Sequence, residues 1–154
     1  FTDHLPDGWA VFAASGRADY RQTSIDQWMS QAPIATLIAP TATIGVGSEI
    51  GQGSFIGHHA HVGPMAKIGS GCIINTGAVV EHECVIGDFA HISVNAVVAG
   101  RSRVGSNSMI GAGAVVIDGV TVGSGLIVGA GATVCKNIEI PGTYVGTPAR
   151  LLNR

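Results

Sequence analysis

Residues 38–56 read IAPTATIGVGSEIGQGSFI, and this stretch decides the fold. Ile stands at 38, 44, 50 and 56. An Ile or Val then recurs every six residues, through Val62, Ile74 and Val98 to Val134 and Ile140, eighteen marks without a miss. Four residues after most marks comes a small side chain, as at Ala42, Ser48, Ser54, Ala60, Cys72 and Cys84. Gly often follows the mark directly, as at Gly45, Gly51 and Gly57. A six-residue period fits neither a lone helix nor a lone strand, so the hexad itself is the structural unit. Each hexad supplies a short extended piece, where β-branched residues fit, and a corner, where Gly accepts unusual angles. The implied fold is all-β, a parallel β-helix with a large residue at i and a small one at i+4 pointing inward. Three hexads per turn give about six coils, a prism on the order of 28 Å long at roughly 4.8 Å per coil. The period by itself leaves the handedness open.

The 154 residues suit one domain with a small appendage. Only 12% are charged, and so little charge over so much sheet implies that part of the surface is covered by another copy of the chain. A net charge of −2 gives no basic footprint for nucleic acid. No apolar run is long enough to span a membrane. Cys72 and Cys84 occupy inward i+4 positions on different faces, so they read as core residues and not as a disulfide. Reduced thiols place the chain in the cytoplasm. It begins at Phe1 with no signal-peptide pattern and reads as the trimmed remainder of a longer protein.

Residues 1–37 do not follow the hexads. Trp9–Ala14 reads as a buried strand, Ser15-Gly16 breaks it, and 18–31 reads as an amphipathic helix carrying Tyr20, Ile25, Trp28 and Met29. One β-α unit cannot fold alone and must pack on the first coils or on further sequence. The expected division is therefore 1–37 as appendage, 38–144 as β-helix and 145–154 as a C-terminal cap. Hexads ending in Val120, Leu126 and Ile138 lose the small i+4 residue, which implies a wider core there. Pro141-Gly142 interrupts the rhythm, after which the tail from Tyr144 to Arg150 should turn away and cover the open end.

The informative residues are those a repeat does not require. In Val80-Glu81-His82-Glu83-Cys84 the usual Gly gives way to Glu81, an imidazole follows, and then a second carboxylate. A His beside a carboxylate is the arrangement of a general base, because the carboxylate orients the ring and raises its proton affinity; the plainer alternative is a solvated turn. Asn75 also replaces a Gly, and it is expected to flank the same edge as His82; the competing reading is a corner Asn in left-handed geometry. His91 lies near another corner, where it can equally be a turn histidine bonded to backbone. His58-His59-Ala60-His61 invites a zinc site, yet in an extended chain only His59 and His61 share a side.

The hexads resemble the bacterial hexapeptide-repeat transferases. That resemblance implies a left-handed parallel β-helix of about six coils, a homotrimer, and an active site between two prisms. More closely, Ile73-Ile-Asn-Thr-Gly-Ala-Val-Val-Glu-His-Glu-Cys-Val-Ile-Gly-Asp-Phe-Ala-His-Ile-Ser93 resembles the sugar O- and N-acetyltransferases of sialic acid, bacillosamine and perosamine biosynthesis. By that resemblance His82 is the catalytic base and Glu83 the residue that increases its basicity. Asn75 lies near the acceptor, His91 contacts the thioester end of acetyl-CoA, and Gly100 lies against the pantetheine arm. Ala112 and Ala130 contact the cofactor higher in the groove, and Lys136 lies near its nucleotide end. The implied reaction is acetyl transfer to an amino or hydroxyl group of a sugar, foremost a nucleotide-linked 4-amino sugar, with acetyl-CoA as co-substrate and no metal. The 1–37 segment then resembles the last β-α unit of an N-terminal α/β substrate-binding domain. Two other classes fit the same prism: a zinc lyase of the carbonic-anhydrase type, and a non-catalytic trimeric scaffold.

Overall fold

The computed structural model describes residues 5–152. The hexads fold as seventeen two-residue strands, from Leu37–Ile38 to Thr133–Val134, each starting one residue before a mark. Each of the first fourteen runs parallel to the strand eighteen residues on, as Leu37 opposite Phe55 and Val97 opposite Val115 show. Three hexads therefore make one coil, and the coils stack into a three-faced prism. The first face holds eight strands, Leu37–Ile38 through Ile127–Val128 and then Thr143–Val145 and Arg150–Leu151. The second face holds six, Thr43–Ile44 to Thr133–Val134, and the third five, Glu49–Ile50 to Thr121–Val122.

From the hexad of Ile56 to that of Val134 the mark and the i+4 residue are sealed inside; Ile56, Ala60, Val80 and Cys84 are all fully buried. A corner has no room for a long inward side chain, which is why i+4 is small. Where it is a buried Ser, the hydroxyl donates to a carbonyl of the next coil at the same corner, Ser54 to Gly69 at 2.8 Å and Ser108 to Gly123 at 2.7 Å, and among the described residues no buried side-chain oxygen lacks a partner. Cys72 and Cys84 take the same place, their Sγ atoms 3.1 Å from the carbonyls of Gly87 and Ala99. Burial pushes the Cys72 thiol up to about 12 and raises that of Cys84, so both are inert core groups. Val120, Leu126 and Ile138 are buried at the far end, where larger i+4 residues fill the core.

The ends depart from the repeat. Ile38 and Ile44 belong to the open first coil and are exposed. At the other end the coil shortens from eighteen residues to sixteen: Ile138 bridges Val122, and Tyr144 pairs with Val128. The mark at Ile140 consequently falls outside, 67% exposed, and Ile138 and Tyr144 take the inward places. The tail does not turn away at Tyr144. Thr143–Val145 continues the first face, and only then does Arg150–Leu151 fold back antiparallel beside it.

Residues 5–36 pack along the third edge, between faces three and one. Trp9–Ala14 forms no strand: Val11 makes a single parallel bridge to Ile34, and Trp9 is 62% exposed. The helix, α1, is Ala18–Trp28, and its inward residues are Ile25 and Arg21, whereas Tyr20 and Met29 face out. Ile25 reaches the bare corners at Gly53 and Gly71. Arg21 is buried, and its guanidinium donates from Nε to the Gly71 carbonyl at 2.7 Å, from Nη1 to those of Ser15 and Gly16, and from Nη2 to that of Phe89. One cation thereby ties the helix, the loop before it and two coils together. Among the described residues no helix is long and apolar enough to cross a membrane.

Candidate active site

His82 projects from the second edge, the corner column that follows the strands of face two. Successive coils place Pro64, His82, Gly100, Asp118 and Lys136 above one another there, joined by backbone bonds such as Arg101 N–H to the His82 carbonyl and Gly119 N–H to that of Gly100, both 2.9 Å. Glu83 holds a left-handed backbone (φ 58°), a position that Gly takes in other coils, and this turns its carboxylate back toward the ring. Its Oε2 lies 3.4 Å from His82 Nδ1. A carboxylate only accepts, so the contact is a hydrogen bond when Nδ1 carries the proton, the tautomer that leaves the Nε2 lone pair free. Of the two carboxylates that flank His82, Glu83 addresses the ring, while Glu81 accepts from the His82 backbone N–H at 3.3 Å. The Nε2 side of the ring lies over Gly100. A Cβ at Gly100 would stand 2.5 Å from Nε2 and 2.7 Å from Cε1, so only glycine leaves the ring this position.

Asn75 and His91 meet one face away. Asn75 Nδ2 donates to His91 Nε2 at 3.3 Å, and Asn75 Oδ1 accepts the Thr76 N–H at 2.8 Å. Burial, helped by the charge of Arg21, lowers the pKa of His91, which is thus a neutral ring. The pair lines a cavity of about 270 Å3 between face one and the segment Phe12–Gly16. Ala112 and Ala130 sit exposed on the first edge above Asn75, stacked through the Gly131 N–H to the Ala112 carbonyl. Lys136 tops the second edge, beside a cavity of about 370 Å3 that Tyr144 and Arg150 also line. His58 and His61 are engaged by Thr41 and Thr43 of the coil below, at 2.9 and 2.7 Å. No three His, Cys, Asp or Glu side chains converge as a metal site among the described residues.

Residues 47–82 and 101–136 match the profile of the bacterial transferase hexapeptide family (six repeats). No curated protein matches in sequence. Among solved structures the acetyltransferase domain of PglB from Neisseria gonorrhoeae FA1090 superposes with a TM-score of 0.93 at 34% identity, over 97% of this chain and 74% of that one. A mutant GDP-perosamine N-acetyltransferase from Caulobacter crescentus, in complex with CoA and GDP-perosamine, superposes at 0.92 with 31% identity, over 96% and 71%. The PglB domain in complex with acetyl coenzyme A gives 0.89 at 31%, over 99% and 83%. The chain belongs to the hexapeptide-repeat sugar acetyltransferases.

In this acetyltransferase the eight residues singled out from the sequence fall into two groups. His82, Glu83, Gly100 and Lys136 line the second edge. Asn75, His91, Ala112 and Ala130 lie on the first edge and the face beside it. The expectation that Asn75 and His82 flank one edge is incorrect. Asn75 follows a strand of face one and His82 a strand of face two, so the whole of face two separates them. Two further side chains of this acetyltransferase were not singled out from the sequence. Asp118 stands two coils above His82 on the same edge, and Arg101 Nη2 donates to its Oδ1 at 2.6 Å. The signal for them was available only by adding multiples of eighteen to the positions of His82, which leads to Asp118, and of Glu83, which leads to Arg101.

Proposed function

We propose that this acetyltransferase moves the acetyl group of acetyl-CoA to an amino or hydroxyl group of a sugar, foremost the amine of a nucleotide-linked 4-amino sugar, with His82 as general base. The observation that carries the reading is the His82 ring itself, its Nδ1 facing Glu83 and its Nε2 turned outward over a glycine. Such a ring can take a proton from a nucleophile as it attacks the thioester, and the Glu83 carboxylate steadies the imidazolium that results. The solved relatives carry CoA with GDP-perosamine, and acetyl coenzyme A. The same ligands are proposed here.

Gly100 would lie against the pantetheine arm, and Lys136, three coils above His82 or about 14 Å at the usual spacing, would meet a phosphate of the nucleotide end. Asn75 would touch the acceptor and His91 the thioester end. Ala112 and Ala130 would leave room for the cofactor. Because face two keeps the two groups apart in one chain, the complete site is proposed to form between copies, with His82 of one copy meeting the first edge of the next in a homotrimer. The outward residues of faces one and two support this, since they include Ile73, Val79, Val97, Met109 and Val115, whereas face three shows Glu49, Lys67 and Arg103. The free thiols of Cys72, Cys84 and Cys135 suit the cytoplasm as the place of action. Replacing His82 by Ala should lower turnover by about two to four orders of magnitude, the usual worth of a general base, with little loss of acetyl-CoA affinity. Steady-state kinetics with calorimetry checks both, and unchanged turnover would remove His82 from the mechanism.

A further inference from the structure

The space over Gly100 is bordered on two sides. The Cβ that Gly100 lacks would stand 2.5 Å from His82 Nε2 and 3.0 Å from Asp118 Oδ2. Nε2 and Oδ2 are therefore no farther apart than two hydrogen bonds of about 2.8 Å laid end to end. Arg101 Nη2 donates to the other oxygen of Asp118, Oδ1, at 2.6 Å, which aims Oδ2 at this space. Arg101 itself holds a left-handed backbone, φ 59°, where Gly119 stands one coil above and Gly47 in the first coil.

With Nδ1 protonated toward Glu83, both groups that face this space accept hydrogen bonds. A single atom that satisfies the two must bring at least two hydrogens. A sugar hydroxyl brings one and a thioester none, whereas a primary ammonium brings three. We propose that Asp118 is a second carboxylate of the active site, receiving the acceptor's amino group against His82 Nε2 and so selecting a primary amine over a hydroxyl. This rests on the reading of His82 as the base. The acceptor arrives as an ammonium and pairs with Asp118 Oδ2. His82 takes one proton from it and passes that proton to solvent. The freed lone pair forms the C–N bond to the thioester carbon, the C–S bond breaks, and the second N–H proton travels through His82 to the departing thiolate. An ammonium and a thioester thus become an amide, a thiol and one released proton.

The test compares wild type, Asp118→Asn and the distant ion-pair control Glu49→Gln, using acetyl-CoA with GDP-perosamine, with dTDP-4-amino-4,6-dideoxyglucose, and with the 4-hydroxy counterpart of each. Asp118→Asn should lower kcat/KM for the amino acceptors about 10- to 100-fold, mostly through their KM, the scale of one lost charge-assisted bond. The KM for acetyl-CoA and any transfer to the hydroxyl sugars should stay as in wild type, so the amine preference falls. Glu49→Gln, which breaks the exposed Glu49–Lys67 pair, should leave all of these constants unchanged. Arg101→Gln keeps the carboxylate but frees it, and should cost less, about tenfold, and it serves if Asp118→Asn folds poorly. An unchanged amine preference, or a rise confined to the KM for acetyl-CoA, would overturn the assignment while leaving the transferase reading in place. Wild-type protein that acetylates neither class would overturn both.

Discussion

Gly100 is buried, yet its missing side chain matters more to the outside of the prism than to the inside. The vacancy above its Cα is where the His82 ring lies. Adding one methyl there meets the far end of a side chain that can swing away, so the backbone need not move. Gly100→Ala should accordingly keep its melting temperature within a few degrees while turnover drops roughly a hundredfold, the cost of displacing a catalytic group by about 1 Å. Gly63, one coil below the Glu81–His82 corner, makes the contrast. A Cβ at that position would meet the His82 backbone nitrogen at 2.6 Å and the Glu81 carbonyl carbon at 2.7 Å, neither of which can swing aside. Gly63→Ala should therefore unfold the stack early, and thermal melts read beside turnover separate the two glycines.

Helix α1 contributes little apolar surface of its own, Ile25 being its one buried hydrophobic residue, and its attachment depends on Arg21. Arg21→Met keeps the bulk and removes every donor, which leaves carbonyls on two coils and on the Ser15–Gly16 turn without their partner. Amide exchange within 18–28 should then accelerate about a hundredfold or more, while amides of the prism core keep their protection. Arg21→Lys should not restore it, because a point charge cannot span four acceptors. The helix shows what a sequence hides. Hexad marks report burial directly, so the prism, its eighteen-residue coil and the inward Cys72 and Cys84 were all legible. The helix was read by its apolar residues, and Tyr20 and Met29 turned out to face water because the groove beside it offers carbonyls instead of an oily surface. The register shift at Ile138 was hidden too, since Ile140 fits the sequence rhythm and only the shorter turn after Val134 decides which of the two points in. At the site, Glu83 beside His82 was visible as neighbours in sequence; Asp118 was not, because its closeness to His82 arises from stacking.

At the scale of the molecule, two sets of candidate residues on two edges make a definite prediction about assembly. His82→Ala and the double variant Asn75→Ala, His91→Ala should each be nearly inactive as pure proteins. Co-expressed and purified as mixed oligomers, they should regain a measurable share of wild-type turnover, because some junctions between copies pair an intact second edge with an intact first edge. Mixed oligomers no more active than either parent would show that each chain works alone. The constant eighteen-residue coil that runs as far as Val134 also bears on how such a chain can change over generations. Losing or gaining one residue within a strand or corner shifts every later inward position outward and breaks all the alignments above it, so small deletions are barred. Replacing an outward corner residue disturbs no core contact, so each corner can mutate almost independently of its neighbours. A lineage built on this prism is therefore free to try new acceptors by point substitution along two edges, while the length of each coil stays frozen.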